Sequence, residues 1–408
     1  MKKLEVLFRA DAGNERIVGT LAEADRVIYF EFDPSFLASG WGLSPFRLPF
    51  REGLYEHKDL SFGPLPGLFD DSLPDGWGLL LMDQFFQSLG VSPAEVSPLD
   101  RLAYLGSRTM GALVYQPSKD LPVDTGRFNL QQLAKESQKI LAGHASELLS
   151  LLFKTGGSPG GARPKVLIGY SEKKDQVISG EEDLPSDFQA WMVKFAATDD
   201  DVHAGLIEQA YALMAKASGI YMPPTRLFRT EEGESFFGIK RFDRQGGRRI
   251  HIHTFGNLIH ANFRIPSADY NDLLKATALL THNHEDVEEA FRRMVFNVMA
   301  HNRDDHVKNF SFLFDDQNEE WSLSPAYDLT LTDGPGGEHS MTLAGEGKHP
   351  GLKQIMQISL AHGIKKNKAQ AIIKEVGTAI KAWPDFADQA GLPAKARDAV
   401  SNKFLPIS

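Results

Sequence analysis

With 408 residues the chain exceeds what one hydrophobic core ordinarily serves, so two or three packed units around a cleft are expected. Its 42% hydrophobic and 24% charged content is that of an ordinary folded protein, and no cysteine occurs, which excludes disulfides and thiolate metal sites. Fifty-four acidic residues against 44 basic leave a net charge of −10, disfavouring the whole molecule as a non-specific polyanion binder. Met1-Lys2-Lys3-Leu4 leads into no apolar signal core, and no stretch is long enough to span a bilayer; a cytoplasmic protein with no membrane partner is expected.

Near the N-terminus, Ile28, Phe30 and Phe32 alternate with Tyr29 and Glu31, the period of a half-buried strand. Asp71-Ser72-Leu73-Pro74-Asp75-Gly76-Trp77-Gly78 then introduces the apolar run Leu79–Phe86 and reads as a turn and helix start with good capping residues, a structural role. The chain turns polar around Asp124-Thr125-Gly126 before a helical stretch from Leu130 to Phe153, which places the boundary of the following core near residue 120.

Thr155-Gly156-Gly157-Ser158-Pro159-Gly160-Gly161-Ala162-Arg163-Pro164-Lys165 is either a surface loop or a phosphate cradle, because glycines let backbone N–H groups approach phosphate oxygens closely. Its spacing is neither a Walker A loop nor G-x-G-x-x-G. About 30 residues on, the apolar strand Ala190–Phe195 carries Lys194, and the helical segment Leu206–Ser218 carries Glu208. Phosphoryl-transfer enzymes of the kinase type need such a strand lysine for the α/β-phosphates, held by a helix glutamate. A further strand, Ser235–Phe242, is the natural edge for an adenine, with Phe242 either stacking on the base or serving as a core aromatic. The following Arg248-Arg249 with His251 and His253 meets DNA, a substrate or only solvent.

Val287, Ala290, Phe291, Met294, Val295, Val298 and Met299 step by three and four, predicting an amphipathic helix from Val287 to Ala300 that delivers the chain to Asn302-Arg303-Asp304-Asp305-His306-Val307-Lys308-Asn309. Asp304 and Asn309 stand five apart, as do the hydroxyl-binding Asp and metal-binding Asn of a kinase catalytic loop. The strands Phe310–Phe314 and Trp321–Leu323, around the turn Asp315–Glu320, would fold Asp328 back beside Asn309 as a second metal ligand. Three readings compete: phosphoryl transfer, a hydrolase metal centre built from His301, Asp304, Asp305 and His306, and a charged surface turn. The upstream order of glycine loop, strand lysine and helix glutamate selects phosphoryl transfer. Lys308 either neutralises γ-phosphate charge or faces solvent. A last helix, Ala369–Trp383, is expected to be core on one side and solvated on the other.

Ser158-Pro159-Gly160-Gly161-Ala162-Arg163-Pro164-Lys165, Lys240-Arg241-Phe242-Asp243-Arg244, Asn309-Phe310-Ser311 and Leu323-Ser324-Pro325-Ala326-Tyr327-Asp328-Leu329 together resemble the HipA family of serine/threonine protein kinases, toxins of bacterial toxin–antitoxin modules. The resemblance covers nearly the whole length. It implies an α+β fold: a strand-rich N-terminal sub-domain (1–120) on a two-lobed kinase-like core, with an N-lobe (121–240) and a mostly helical C-lobe (241–408). It implies ATP and Mg²⁺ as ligands, with Ser158, Gly160, Gly161, Ala162, Arg163, Lys165, Lys194, Glu208, Lys240 and Phe242 around the nucleotide. Asn309 and Asp328 would hold metal, and Asp304 and Lys308 would serve the chemistry. Ser158 sits where members autophosphorylate, a modification that ejects the loop. The implied partners are a helix-turn-helix antitoxin of the HipB kind, through which alone DNA is met, and a protein substrate such as a translation component. Position 240 departs from the pattern of better-known members, being Lys where they have an acidic residue. A catalytically inactive co-repressor that bridges a DNA-binding antitoxin is the alternative reading.

Overall fold

The computed structural model describes residues 1–119, 129–157, 160–180, 184–197 and 200–405. It has a strand-rich N-terminal part and a helical C-terminal part. Among the described residues no helix is long and apolar enough to cross a membrane.

β1 (Lys2–Asp11), β2 (Asn14–Ala24), β3 (Val27–Phe32), β4 (Leu54–Glu56) and β5 (Leu113–Gln116) form an antiparallel sheet in the order β4-β3-β2-β1-β5. The alternation predicted for β3 is present: Ile28, Phe30 and Phe32 are buried while Tyr29 and Glu31 turn outward. The inward face packs with Phe8, Trp41, Phe69 and Leu102 into one apolar cluster, which Phe314 from the far end of the chain completes.

The helix foreseen after Asp75 is α1 (Gly76–Ser88). The single helix expected from Leu130 to Phe153 is instead two, α2 (Leu130–Leu141) and α3 (Leu149–Gly156), because the chain turns at Gly143 in the left-handed region that suits glycine. β6 (Lys165–Ser171), β7 (Gln176–Ser179), β8 (Gln189–Lys194), α4 (Ala204–Ala217), β9 (Thr225–Arg229) and β10 (Ser235–Lys240) follow. Their strands make a second antiparallel sheet, ordered β7-β6-β8-β10-β9. β6 is buried at every residue, which is why its sequence shows an apolar run rather than alternation. One face of this sheet, with Val166, Ile168, Trp191 and Val193, packs on α1 and α3 through Trp77, Leu81 and Phe153. The opposite face carries Met192 and Lys194 toward α4, as the two-residue period of β8 requires.

β10 ends two residues before the predicted Phe242. The Lys240 N–H donates to Pro224 O and the Arg241 N–H to Ala190 O, after which the chain turns into β11 (Arg244–Gln245) and β12 (Arg248–Arg249). The basic patch read there is no free surface: Arg248 pairs with Asp316 and Asp11, and Arg249, His251 and His253 are buried. β13 (His251–Thr254), α5 (Tyr270–Thr281), α6 (His284–Met299), β14 (Ser311–Asp315) and β15 (Glu320–Leu323) complete the central C-terminal part, with the strands ordered β13-β14-β15. Every residue of the predicted α6 stripe is buried. The final expected helix is α7 (Lys366–Lys381), and Trp383 opens a separate α8 (Trp383–Ala390).

Two aspartates, the half-buried Asp71 and the buried Asp243, stitch the N-terminal part to the C-terminal part. Asp71 accepts from Thr254 N–H (2.8 Å), Thr254 Oγ1 (2.7 Å) and Asn257 Nδ2 (2.8 Å), and lies 2.5 Å from His253 Nδ1, whose Nε2 faces Ser44 Oγ at 2.9 Å. Asp243 accepts from Arg241 (2.7 Å), Arg244 (2.8 Å) and the Gly111 N–H (2.8 Å). Burial alone would raise the Asp243 pKa, but Arg241 and Arg244 outweigh it and hold the carboxyl well below its usual range.

Replacing Asp243 with Ala strands two guanidinium groups without their carboxylate, so a loss of about 3–5 kcal/mol is expected in denaturant unfolding. Because the folded pKa lies below the unfolded value of about 4, this contribution is complete above that pH and declines as pH falls through it; acid titration of wild type against the variant measures the difference.

Candidate active site

Three chain segments meet beside Lys194, at a cleft lined by the second sheet and α4. The first is the glycine-rich connection from α3 to β6, of which Ser158 and Pro159 lie outside the described residues. Gly161 adopts φ +96°, a conformation that glycine tolerates best. Lys165 is buried and donates from Nζ to Gly160 O at 2.5 Å, and burial lowers its pKa. Ala162 precedes Arg163, whose Nε and Nη2 reach Asp200 Oδ1 at 3.1 and 3.0 Å.

The second segment is β8 with α4. Lys165 and Lys194 are cross-strand partners, and Lys194 is buried beside Glu208 (2.5 Å) and in contact with Asp328. Glu208 belongs to the buried face of α4 with Tyr211, Ala212 and Ala215, the i, i+3, i+4, i+7 positions of one helical side. Burial would lower the Lys194 pKa, but Asp328 and Glu208 outweigh it and raise it. The same pairing, opposed by burial, holds Asp328 well below the usual carboxylate range.

The third segment is the loop after α6. His301, at φ +54°, turns the chain out of the helix, and Asn302 donates from Nδ2 to Asn297 Oδ1 at 3.0 Å. Asp304 and Asp305 part company here. Asp305 is buried and accepts from Tyr270 Oη (2.7 Å) and Ser340 N–H (2.8 Å), with His339 Nδ1 at 2.8 Å. Asp304 is exposed to the cleft; partial burial, then Asp328 and Asp305, push its pKa up against the opposing pull of His306. Asn309 Nδ2 donates to Asp304 O at 2.7 Å, closing the six-residue loop. The hairpin β14–β15 returns the chain so that Tyr327 Oη donates to Lys308 O at 2.8 Å, next to Asp328 at φ +58°. Phe242 lies at the same end of the cleft, its ring 5.7 Å from Tyr327. The Lys240 and Arg241 N–H groups are engaged in the fold.

Lys308 is not a free surface cation. Its ammonium lies 3.2 Å from Asp70 Oδ2 and 3.8 Å from Asp75 Oδ2, and these carboxylates, with Asp71, outweigh burial and raise its pKa. Asp75 was read from sequence as a helix cap, yet its side chain makes no capping bond and instead accepts the Gly161 N–H. Sequence reasoning therefore missed Asp70 and Asp75. Their only signal was an acidic, glycine-punctuated turn, which local rules assign to capping.

Among the described residues no group of three or more His, Asp or Glu is placed to hold a metal by itself. The histidines and carboxylates of the hydrolase reading are dispersed: His301 pairs with Asp333, and Asp305 with Tyr270 and His339. Asp328 and Asn309 offer oxygen donors of the kind suited to Mg²⁺, which commonly takes one or two protein ligands and fills its sphere with phosphates and water.

Residues 12–116 match the HipA N-terminal domain, and residues 157–383 match the HipA-like C-terminal domain. The chain belongs to the HipA family. A chain from the HipA, HipB and operator DNA complex of the Shewanella oneidensis MR-1 toxin–antitoxin system has the same fold, with a TM-score of 0.70 and 17% identity. That match covers 98% of this HipA-family chain and 95% of the other. Two Sinorhizobium fredii proteins, Y4dM and Y4mE, whose names assign them provisionally to the kinases, are 26% and 28% identical over 66% and 60% of this chain. The match spans 62% and 60% of those relatives' own lengths.

The two neighbouring aspartates should separate cleanly in unfolding experiments. Asp305→Ala leaves three buried polar groups without their acceptor and is expected to cost about 3 kcal/mol. Asp304→Ala removes an exposed carboxylate and should change stability by no more than about 0.5 kcal/mol.

Proposed function

We propose that this chain is an ATP- and Mg²⁺-dependent serine/threonine protein kinase, the toxin of a toxin–antitoxin module. The observation that carries the reading is the convergence of Lys194, Glu208 and Asp328 at one point, on three separate elements, with the Asp304–Asn309 loop on the same side. Neither a charged surface turn nor a hydrolase needs a buried lysine held by a helix glutamate.

In this reading Lys194, Lys165, Arg163 and the backbone of Gly160, Gly161 and Ala162 receive the nucleotide phosphates, Glu208 keeps Lys194 in place, and Phe242 borders the base. Bound Mg²⁺ supplies charge neutralisation at the phosphates, with Asp328 and Asn309 as its protein ligands. Asp304 orients the substrate hydroxyl and takes its proton; the raised pKa of its carboxyl makes it a better base than an ordinary aspartate. Lys308 contributes a fixed positive charge near the transferring group.

The reading extends to regulation and partners. Ser158 is the proposed autophosphorylation site: a phosphate there would place roughly −1.5 to −2 charge where the nucleotide phosphates bind. The proposed organisation is an N-terminal sub-domain to about residue 120, with the lobes meeting near residue 240. A helix-turn-helix antitoxin is the proposed partner, and a translation component such as an aminoacyl-tRNA synthetase the proposed class of substrate.

Purified chain incubated with labelled ATP and Mg²⁺ should incorporate phosphate into itself or a protein in a cell extract, and Asp304→Ala should lower the rate by about 10²–10⁴-fold. If wild type and Asp304→Ala incorporate equally little, the kinase reading fails and the inactive co-repressor takes its place. The rate should rise with pH through a value above the ordinary aspartate pKa, because only ionised Asp304 accepts the proton.

A further inference from the structure

We propose that the turn from Asp70 to Trp77 in the N-terminal part is a working component of the nucleotide site, with Asp75 as a positioning residue that joins the glycine-rich loop to the catalytic loop. The inference rests on the kinase reading above and concerns a segment that reading does not use.

The two oxygens of Asp75 serve two different elements. Oδ1 accepts the Gly161 N–H, and Oδ2 lies 3.8 Å from the Lys308 ammonium. On its other side the Gly161 peptide is held as well, its carbonyl accepting the Trp77 N–H at 3.0 Å, while Trp77 Nε1 donates to Lys165 O at 3.2 Å. The start of α1 thus clasps the loop at three points. Gly76 makes the approach possible: at φ +44°, a Cβ there would fall 2.6 Å from Gly161 O and 2.7 Å from Ala162 Cα. Gly160 is constrained from the other direction, since a Cβ would lie 3.1 Å from Asp75 Oδ1. Both glycines are therefore explained by closeness between the turn and the loop.

Asp70 completes the device. Its Oδ2 lies 3.2 Å from Lys308 Nζ and accepts from Asn257 Nδ2 at 3.0 Å, so the carboxylate that fixes Lys308 is itself anchored to the C-terminal part. A glycine-rich loop left to itself is conformationally broad, and ordering it on nucleotide binding costs free energy. Pinning the Gly161 peptide beforehand lowers that cost, and fixing Lys308 against the same carboxylate sets the spacing between loop and catalytic lysine. An aspartate that served only as a helix cap would donate nothing to this geometry.

The test is MgATP affinity measured calorimetrically on the full chain, with thermal unfolding in parallel. Asp75→Ala is expected to weaken MgATP binding about tenfold, the scale of one charge-assisted hydrogen bond, with no comparable loss for Asp75→Asn, which keeps an acceptor for the Gly161 N–H. Both variants should retain the wild-type cooperative unfolding transition. An alanine variant that binds as tightly as wild type, or an asparagine variant no better than alanine, overturns the inference and leaves the kinase reading standing. A folded wild type that binds no MgATP overturns the reading and the inference with it.

Discussion

The buried ammonium of Lys194 sets the terms for everything around it. A lone charge in that position would be prohibitively costly, and two carboxylates from elements far apart in sequence offset the desolvation. Glu208 arrives on α4 and Asp328 on the return from the β14–β15 hairpin, so three separately folded pieces must converge for the charge to be tolerated. The convergence explains why the second sheet, α4 and the segment after β15 pack as they do. It also leaves a cation flanked by anions.

Around that point the molecule separates rigid support from exposed chemistry. The adjacent aspartates of the Asp304–Asn309 loop illustrate it: Asp305 turns inward to Tyr270, His339 and Ser340, fixing the segment that follows, and Asp304 is thereby presented to the cleft. Arg303 adds to the same support by donating to the carbonyls of Gly337 and Lys348.

The N-terminal part is more than an appendage to this core. Its strands have their own apolar cluster, yet α1 lies under the second sheet and forms part of the cluster that supports β6 and β8. Asp71 and Asp243 lock the two halves with buried, charge-assisted hydrogen bonds, and Asp70 and Asp75 carry the contact into the cleft itself.

Local patterns in the sequence determined β3, α1, α4, α6 and the β14–β15 hairpin, because strand alternation, helical periodicity and turn residues act over a few positions and need no distant partner. Spacing along the chain likewise singled out Asp304, Asn309, Lys194, Glu208 and Asp328 as a set. Where sequence reasoning failed, the deciding contact was remote. The end of β10 at Lys240 and the burial of the Arg249–His253 patch follow from packing against other segments. Asp75 is the clearest case: as a local residue it is a good helix cap, and only the tertiary structure brings Gly161 and Lys308 within its reach. An aspartate takes the strongest donors available to it, and sequence order alone does not reveal which donors the fold will deliver.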